Sequence, residues 1–418
     1  MGFANNRDNV ANVLSLWFFA NTLLWPFSVG IGGLKLGLNI VVLAVVGAFW
    51  IQKNNLRISI FSAQIIWGLG VFFLFSFLVA ITGPCEDKFI KFLSAAPVMF
   101  LLVLVGLEIG WRATASDWLR LEILAKRILL LAFLAFLFEA FFSGLFPNQA
   151  GYRLEGKFSG FFLEPSHVAI SLFPSVAILL VSKSPLLKRF ATFALVGLVL
   201  FSRSSSLVVL IFVWLIYQVF VKRAVKFTRR FVLIVAIIIS AVIAALLNYE
   251  QIVGPFADRF SGLFGTSEIE NISSLVYAQG WQDAWANLQR TSGLGLGFNM
   301  MGCAPLPDVP ARQILESVFH LGELNAEDGS FLFSKIVSET GFIGLLMIVF
   351  VITWWVKLER KIRKLDSVEI ASVLQMFTAL IFIFLASITL RSAGYFAVSL
   401  MLMIPIAAGV AKLIKRGK

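Results

Sequence analysis

Residues 58–81 read ISIFSAQIIWGLGVFFLFSFLVAI, a stretch of 24 residues without a charged side chain. An α-helix needs about 20 apolar residues to cross the hydrocarbon layer of a membrane, so this stretch predicts a transmembrane helix. Similar runs recur along the whole chain of 418 residues, of which 59% are hydrophobic and only 14% charged. Such a composition lies outside the range of most soluble domains. The fold class that follows is an all-α, polytopic integral membrane protein.

The apolar runs predict about 12 transmembrane helices in a single membrane domain over residues 1–418. They cover residues 10–29, 36–51, 58–81, 89–109, 128–146, 167–181, 190–201, 207–221, 231–247, 331–356, 370–390 and 393–410. The runs at 36–51 and 190–201 are short for a full crossing, so one of them can be tilted or re-entrant. Two gaps between runs are much longer than a turn and predict loops at 147–166 and 248–330.

The basic residues predict the orientation of the chain. With the amino terminus inside, alternate connections hold 24 of the 35 lysines and arginines. Because cytoplasmic loops carry the excess of lysine and arginine, both termini are predicted to be cytoplasmic and both long loops to lie outside. This asymmetry also explains the formal net charge of +12. No basic tract interleaved with aromatic residues is present, so nucleic-acid binding is not predicted.

The cysteines and histidines give little sign of a metal site. Cys85 and Cys303 are the only cysteines, and both map outside, where a disulfide is chemically permitted. Because they lie in separate loops, free thiols are favoured, and pairing stays open. His167 and His320 have no Cys or His neighbour at ligand spacing, so neither a metal nor a cofactor is predicted.

The first outer loop ends in Gly160-Phe-Phe-Leu-Glu-Pro-Ser166, directly before an apolar run. Pro165 suits the first turn of a helix, and Glu164 then stands at the positive end of the helix dipole. The plain interpretation of Glu164 is a carboxylate that starts a helix. However, Arg153, Glu164 and His167 lie within fifteen residues at a membrane boundary, where ionisable side chains are costly and often mark a site. His167 alone is typical of a polar helix end.

The second outer loop is acidic, with ten carboxylates against Arg259, Arg290 and Arg312. Residues 274–288 have helical apolar spacing and predict a helix along the membrane surface or over the bundle. The glycines of residues 293–297 are spaced as GxGxG, follow no predicted strand and lie outside, so a dinucleotide site is rejected. Two interpretations remain: a flexible elbow whose amides and Arg290 cradle an anion, or a plain glycine-rich turn.

The second loop ends at Glu327-Asp-Gly-Ser330, before an apolar run that carries Lys335 and Glu339. These two lie four residues apart and are predicted to neutralise one another. Arg203 and Arg391 stand at predicted outer helix ends. A single terminal arginine commonly snorkels to the interface, but several on one outer face suit a pyrophosphate, whose oxygens match the guanidinium fork.

These features resemble the O-antigen polymerase and ligase superfamily (Wzy and WaaL). The resemblance is carried by the helix start at residues 160–166, by Ser202-Arg-Ser-Ser205 between two short helices, by the Trp-containing loop helix that runs into residues 293–297, and by the loop exit at 330–344. It implies a GT-C-like membrane fold. It also implies metal-independent, inverting glycosyl transfer at the periplasmic face of a bacterial inner membrane, with undecaprenyl-pyrophosphate-linked glycans as substrates.

Two departures from the family pattern bear on the assignment. Ligases usually carry a His-Asn pair at the start of the last motif, where this chain has Asp328-Gly-Ser330. The frequent Arg of the loop helix is absent near Tyr277, so Arg259 or Arg290 would have to replace it. The first departure favours a polymerase. An O-antigen ligase and a lipid-glycan flippase or transporter are the alternatives, although a transporter predicts inverted repeats, and the sequence has none.

The resemblance also implies roles for individual residues. A hydroxyl of one lipid-linked repeat would attack the anomeric carbon of the growing chain, and undecaprenyl pyrophosphate would leave. Glu164 is the expected base, with His167 or Asp328 as second choices. The pyrophosphate would be held by four arginines, Arg153, Arg203, Arg290 and Arg391. Membrane lipids, a chain-length regulator (Wzz-like) and a flippase would be further partners.

Overall fold

A computed structural model describes residues 4–24, 27–31, 34–53, 58–82, 89–142, 158–162, 164–218, 272–363, 365, 367–390 and 394–416. Within these ranges the chain is helical apart from one short hairpin. The helices are α1 (Ala4–Phe19, continued by a π-helical turn, Ala20–Leu24), α2 (Leu38–Lys53), α3 (Ile60–Thr82), α4 (Phe89–Arg112), α5 (Ala115–Phe141), α6 (Pro165–Val181), α7 (Pro185–Ser202), α8 (Ser205–Ile216), α9 (Ile272–Arg290), α10 (Pro310–Phe319), α11 (Leu332–Ile362), α12 (Val368–Leu390) and α13 (Val398–Arg416). The hairpin pairs β1 (Ser28–Ile31) antiparallel with β2 (Leu34–Gly37).

Six of the described helices, α3, α4, α7, α11, α12 and α13, are long and apolar enough to cross a membrane. Four shorter stretches are also apolar, namely α1 with its π-helical turn, α2, α6 and α8. The prediction of a helical protein with membrane-spanning helices is therefore confirmed in this coarse form, whereas the number of 12 spans stays a prediction. The predicted span at 231–247 lies outside the described residues.

Helix α6 lies at the centre of the bundle. Every residue from 168 to 179 is buried, and the helix packs against α5, α7, α8 and α12. By contrast, only Ser62, Ser76 and Ala80 of α3 are buried, so most of that helix faces outward. The sequence explains where α6 begins, because Glu164 has extended backbone angles and Pro165 fits the first helical position. The predicted loop at 147–166 therefore ends two residues earlier than expected.

Helices α6 and α7 form an antiparallel pair. The connection between them is short, and the Ser184 hydroxyl accepts from the Leu187 amide at 3.4 Å to cap α7. The two helices have 17 and 18 residues, so each is about 25 Å long at 1.5 Å per residue. The start of α6 and the end of α7 therefore lie at the same end of the bundle, which the topology prediction assigns to the outside.

The second outer loop is partly folded around two helices. The predicted helix at 274–288 is confirmed as α9, which packs along α11. Helix α10 was not predicted; it packs on α9 through a small core of Leu275, Val276, Ala311 and Leu315. Helix α11 has 31 residues and contains a break at Gly341, whose φ of 59° and ψ of −138° are not helical.

Candidate functional site

Glu164 stands at the amino end of α6, the position that the sequence predicts for a base. Its carboxylate oxygen Oε2 accepts a hydrogen bond from the Ser166 hydroxyl at 2.9 Å, and its side chain does not cap the helix backbone. Glu164 and His167 are both partly exposed, and His167 lies in the first turn of the same helix. The helix dipole favours a negative charge here. A carboxylate with these surroundings can bind a hydroxyl group and accept its proton.

The chain just before Glu164 is fixed by a buried glutamate. Glu139 of α5 accepts from the backbone amides of Ser159 at 3.0 Å and Gly160 at 2.6 Å. Gly160 has a φ of 60°, which side chains rarely adopt. The Phe158 amide also donates to the Phe201 carbonyl oxygen at 2.9 Å, which ties the segment to α7. Glu139 therefore positions the loop that leads to Glu164, a role that sequence reasoning missed.

Arg203 ends α7 and lies at the same end of the bundle as Glu164. It has left-handed backbone angles, with φ 45° and ψ 34°, and its side chain is exposed. Phe158 links the two regions, since its ring lies 6.1 Å from that of Phe201. The structure thus brings Glu164, His167 and Arg203 to one end of the α6–α7 pair. Arg153 and Arg391 lie outside the described residues.

A buried ionic network holds the second loop to α11. The Lys335 ammonium lies 3.3 Å from Glu339 Oε1 and donates to the Glu327 carbonyl oxygen at 2.6 Å. Glu339 also accepts from the backbone amides of Asn299 at 2.6 Å and Met301 at 2.9 Å. The prediction that Lys335 and Glu339 neutralise one another is confirmed. The two amides show that Glu339 also folds the preceding loop, because buried carboxylates need such partners.

Tyr395, between α12 and α13, packs against this network. Its ring stacks on Phe298 with the centroids 4.6 Å apart, and the Lys335 ammonium lies 5.8 Å from the ring centroid. Burial raises the pKa of Tyr395 well above its usual value, and the charge of Glu339 adds to this effect. Tyr395 is therefore a neutral phenol at any physiological pH.

The glycine-rich segment at 293–297 docks on the break in α11. Its last two amides, those of Leu296 and Gly297, donate to the carbonyl oxygens of Ser338 and Glu339 at 3.0 and 2.9 Å. The amides of residues 293 to 295 have acceptors in α9 and Thr291. All five amides are thus occupied, so of the two interpretations that the sequence leaves open, these amides do not fit the anion cradle and fit the glycine-rich turn. A Cβ added at Gly295, where φ is 83°, would lie 2.4 Å from the Glu339 carbonyl oxygen, so the glycine permits this close packing.

Arg290 and Arg312 are both used within the second loop. Arg290 donates to the Pro305 carbonyl oxygen at 2.7 Å, and its other nitrogen lies 3.5 Å from Cys303 Sγ. Arg312 is buried and donates to Asp283 Oδ2 at 2.7 Å, which joins α10 to α9. Burial raises the pKa of Asp283, and the two arginine charges partly offset this shift. Arg290 therefore helps to hold the second loop, and its predicted role as a pyrophosphate ligand stays a prediction.

Cys303 is disulfide-bonded, so the expectation of a free thiol is wrong. Cys85, the only other cysteine of the chain, lies outside the described residues. Asp328 is exposed, and a Cβ added at Gly394 would lie 4.0 Å from its Oδ1, which places it beside the connection between α12 and α13. Asp328 thus belongs to the second loop and Glu164 to the start of α6.

The sequence signal for Glu139 was weak. It differs from a surface carboxylate only by lying inside an apolar run, a feature that marks a polar role in membrane proteins. Across the described part of the chain, no group of three His, Cys, Asp or Glu side chains could hold a metal ion.

In comparisons with known proteins, no family model, curated protein or solved structure matches this chain.

Proposed function

We propose that this protein is a polymerase of surface polysaccharide that joins undecaprenyl-pyrophosphate-linked repeats at the periplasmic face of a bacterial inner membrane. The proposal includes a GT-C-like bundle of about 12 membrane helices, of which six long ones are described. It rests on the motif order given above and on the chemistry available at the outer end of α6.

Two independent observations support an orientation with the second loop outside and both termini in the cytoplasm. The first is the excess of lysine and arginine in alternate connections. The second is the disulfide at Cys303, because disulfides persist in oxidising compartments such as the periplasm and are rare in the cytosol.

The observation that carries the proposal is that a carboxylate and a guanidinium stand at the same end of the central helix pair. Glu164 begins α6, the buried centre of the bundle, and Arg203 ends its antiparallel neighbour α7. Ionisable groups at a membrane boundary are costly, and Glu139 is itself buried in order to position this end of the chain.

The proposed reaction uses these groups in separate roles. A sugar hydroxyl of the incoming repeat attacks the anomeric carbon of the growing chain, and the bond from that carbon to the pyrophosphate oxygen breaks. The proton of the hydroxyl passes to the Glu164 carboxylate. Arg203 binds the pyrophosphate, whose negative charge grows as it leaves. Inversion at the anomeric carbon follows from a single displacement.

Deletion of the gene distinguishes this function from the alternatives. The surface polysaccharide of the deletion strain would be separated on a gel, and lipid-linked repeats would be located on either side of the membrane. A band with a single repeat on lipid A is the expected result. Loss of all glycan from lipid A would instead indicate a ligase, and repeats trapped on the cytoplasmic side would indicate a flippase.

A further inference from the structure

Helix α11 is longer than a membrane crossing requires, and its two parts have different surroundings. From Leu332 to Gly341 most residues are buried, because α9 and the segment at 293–297 cover them. After Gly341 the surface opens, with Phe342 57% exposed and Leu346 68% exposed. The change from covered to exposed therefore coincides with the break in the helix.

The break also lies close to the expected outer edge of the hydrocarbon layer. Lys357 is the first basic residue toward the carboxyl end of α11, and Arg360 and Lys361 follow it. Counting back about 20 residues from Lys357, the length that crosses a bilayer, reaches Val337, about one helical turn before Gly341. The residues from Leu332 to Val337 then lie at the level of the lipid headgroups or beyond them, together with the parts of the second loop that cover them.

An aromatic surface of α9 continues the exposed face of α11 at this level. A Cβ added at Gly293 would lie 2.2 Å from Phe342, so the two residues are in contact. Leu294 beside it is 55% exposed. Trp281 and Trp285, one helical turn apart on α9, are 40% and 62% exposed, and Trp281 packs on Phe333 of α11 with the ring centroids 5.0 Å apart.

The aromatic surface of α9 differs in charge from the rest of the second loop. The only acidic residue of α9 is Asp283, which is buried. The exposed acids of the folded part of the loop all lie in or after the segment that leads into α10. They are Asp308, Glu316, Glu323, Glu327 and Asp328. A surface of tryptophan and leucine without carboxylates fits the headgroup region of a bilayer, whereas the acidic surface fits water.

We propose that α9 lies in the outer interface of the membrane, with Trp281, Trp285 and Leu294 inserted among the lipid headgroups beside Phe342. The partner is the phospholipid surface of the outer leaflet. In this arrangement the second loop is held at the membrane by two anchors, the buried network around Glu339 and the tryptophans of α9. The inference does not depend on which reaction the protein catalyses.

Fluorescence quenching in nanodiscs tests the inference. The protein contains 11 tryptophans, so the emission of Trp285 is obtained as the difference between wild type and Trp285→Phe, in phosphatidylcholine with and without bromine on the acyl chains near the headgroup. We expect brominated lipid to quench this difference emission and aqueous iodide to leave it largely unchanged.

Val318 on α10 gives a matched control, because it is also 62% exposed but belongs to the acidic part of the loop. The additional emission of Val318→Trp should be quenched by iodide and not by brominated lipid. If iodide quenches Trp285 as strongly as the tryptophan at 318, while brominated lipid quenches neither, α9 lies in water and the proposal is wrong.

Discussion

Two glutamates toward the amino-terminal ends of helices α6 and α11 have opposite surroundings. Glu339 is 1% exposed and is saturated by two backbone amides and the ammonium of Lys335. Glu164 is partly exposed at the first turn of α6, and its described partner is the Ser166 hydroxyl. A buried carboxylate held by these three partners serves the fold. Glu164, partly exposed at a helix start, is the carboxylate that we propose for the chemistry.

The largest effect is expected from Glu164→Gln. If Glu164 is the base, turnover should fall by roughly 10²–10⁴-fold, the usual cost of losing a general base, while the fold and substrate binding persist. The rate of polymer formation by purified protein measures this effect.

The other end of α6 offers a matched control. There the Ser182 hydroxyl donates to Glu122 Oε2 at 2.8 Å, a pair of the same chemistry at the opposite end of the helix. Glu122→Gln should therefore keep normal turnover. If Glu164→Gln makes polymer of normal length at a normal rate, Glu164 has only a structural role at the start of α6. The base would then have to be Asp328 or His167.

Glu339→Ala should act on stability. The substitution leaves Lys335 buried without its counter-charge and two amides without acceptors, a loss of about 3–5 kcal/mol for a broken buried ion pair. The free energy of unfolding in detergent measures it. The double variant Lys335→Met with Glu339→Gln should cost less than Glu339→Ala, because no unpaired charge remains. Equal stability of Glu339→Ala and wild type would remove the contrast between the two glutamates.

Arg203→Lys tests the proposed pyrophosphate ligand at the same end of the helix pair. A lysine keeps the charge but cannot form the forked contact to a pyrophosphate, and loss of one charge-assisted bond of about 1.5–3 kcal/mol predicts a roughly 10- to 100-fold lower kcat/KM. Unfolding should be unaffected, because the side chain is exposed. Arg189→Lys, exposed at the inner end of α7, is the control. Equal kinetics for both variants would exclude Arg203 from the site.

Ser166→Ala should give the smallest effect. It removes the hydroxyl that orients the Glu164 carboxylate, and one hydrogen bond of about 0.5–1.5 kcal/mol corresponds to a roughly 2- to 10-fold lower turnover. Ser182→Ala removes the equivalent hydroxyl at the inner end of α6 and should leave turnover unchanged. Identical rates for the two serine variants would argue that the hydroxyl only supports the helix start.

Local sequence signals were sufficient for α9, for the start of α6 and for one ion pair. Pro165 after Glu164 predicts that start, the apolar spacing of 274–288 predicts α9, and the four-residue separation of Lys335 and Glu339 predicts their ion pair. These features depend on residues within one or two turns of each other.

The remaining features depend on contacts between distant parts of the chain. Glu139 binds amides 20 and 21 residues away, and the segment at 293–297 needs the break at Gly341 as its docking surface. The same glycines are compatible with a turn, an anion cradle or a docking site, and only the acceptors of their amides distinguish these possibilities. The disulfide at Cys303 likewise depends on which loops the fold brings together.

The most direct test of the central claim is a reaction in sealed vesicles. Purified protein would be reconstituted with the second loop facing outward, and undecaprenyl-pyrophosphate-linked repeats would be added from outside in the presence of excess chelator. The account predicts a ladder of polymer together with free undecaprenyl pyrophosphate, made by wild type and Glu122→Gln but not by Glu164→Gln. Repeats that cross the bilayer without any new glycosidic bond would contradict it.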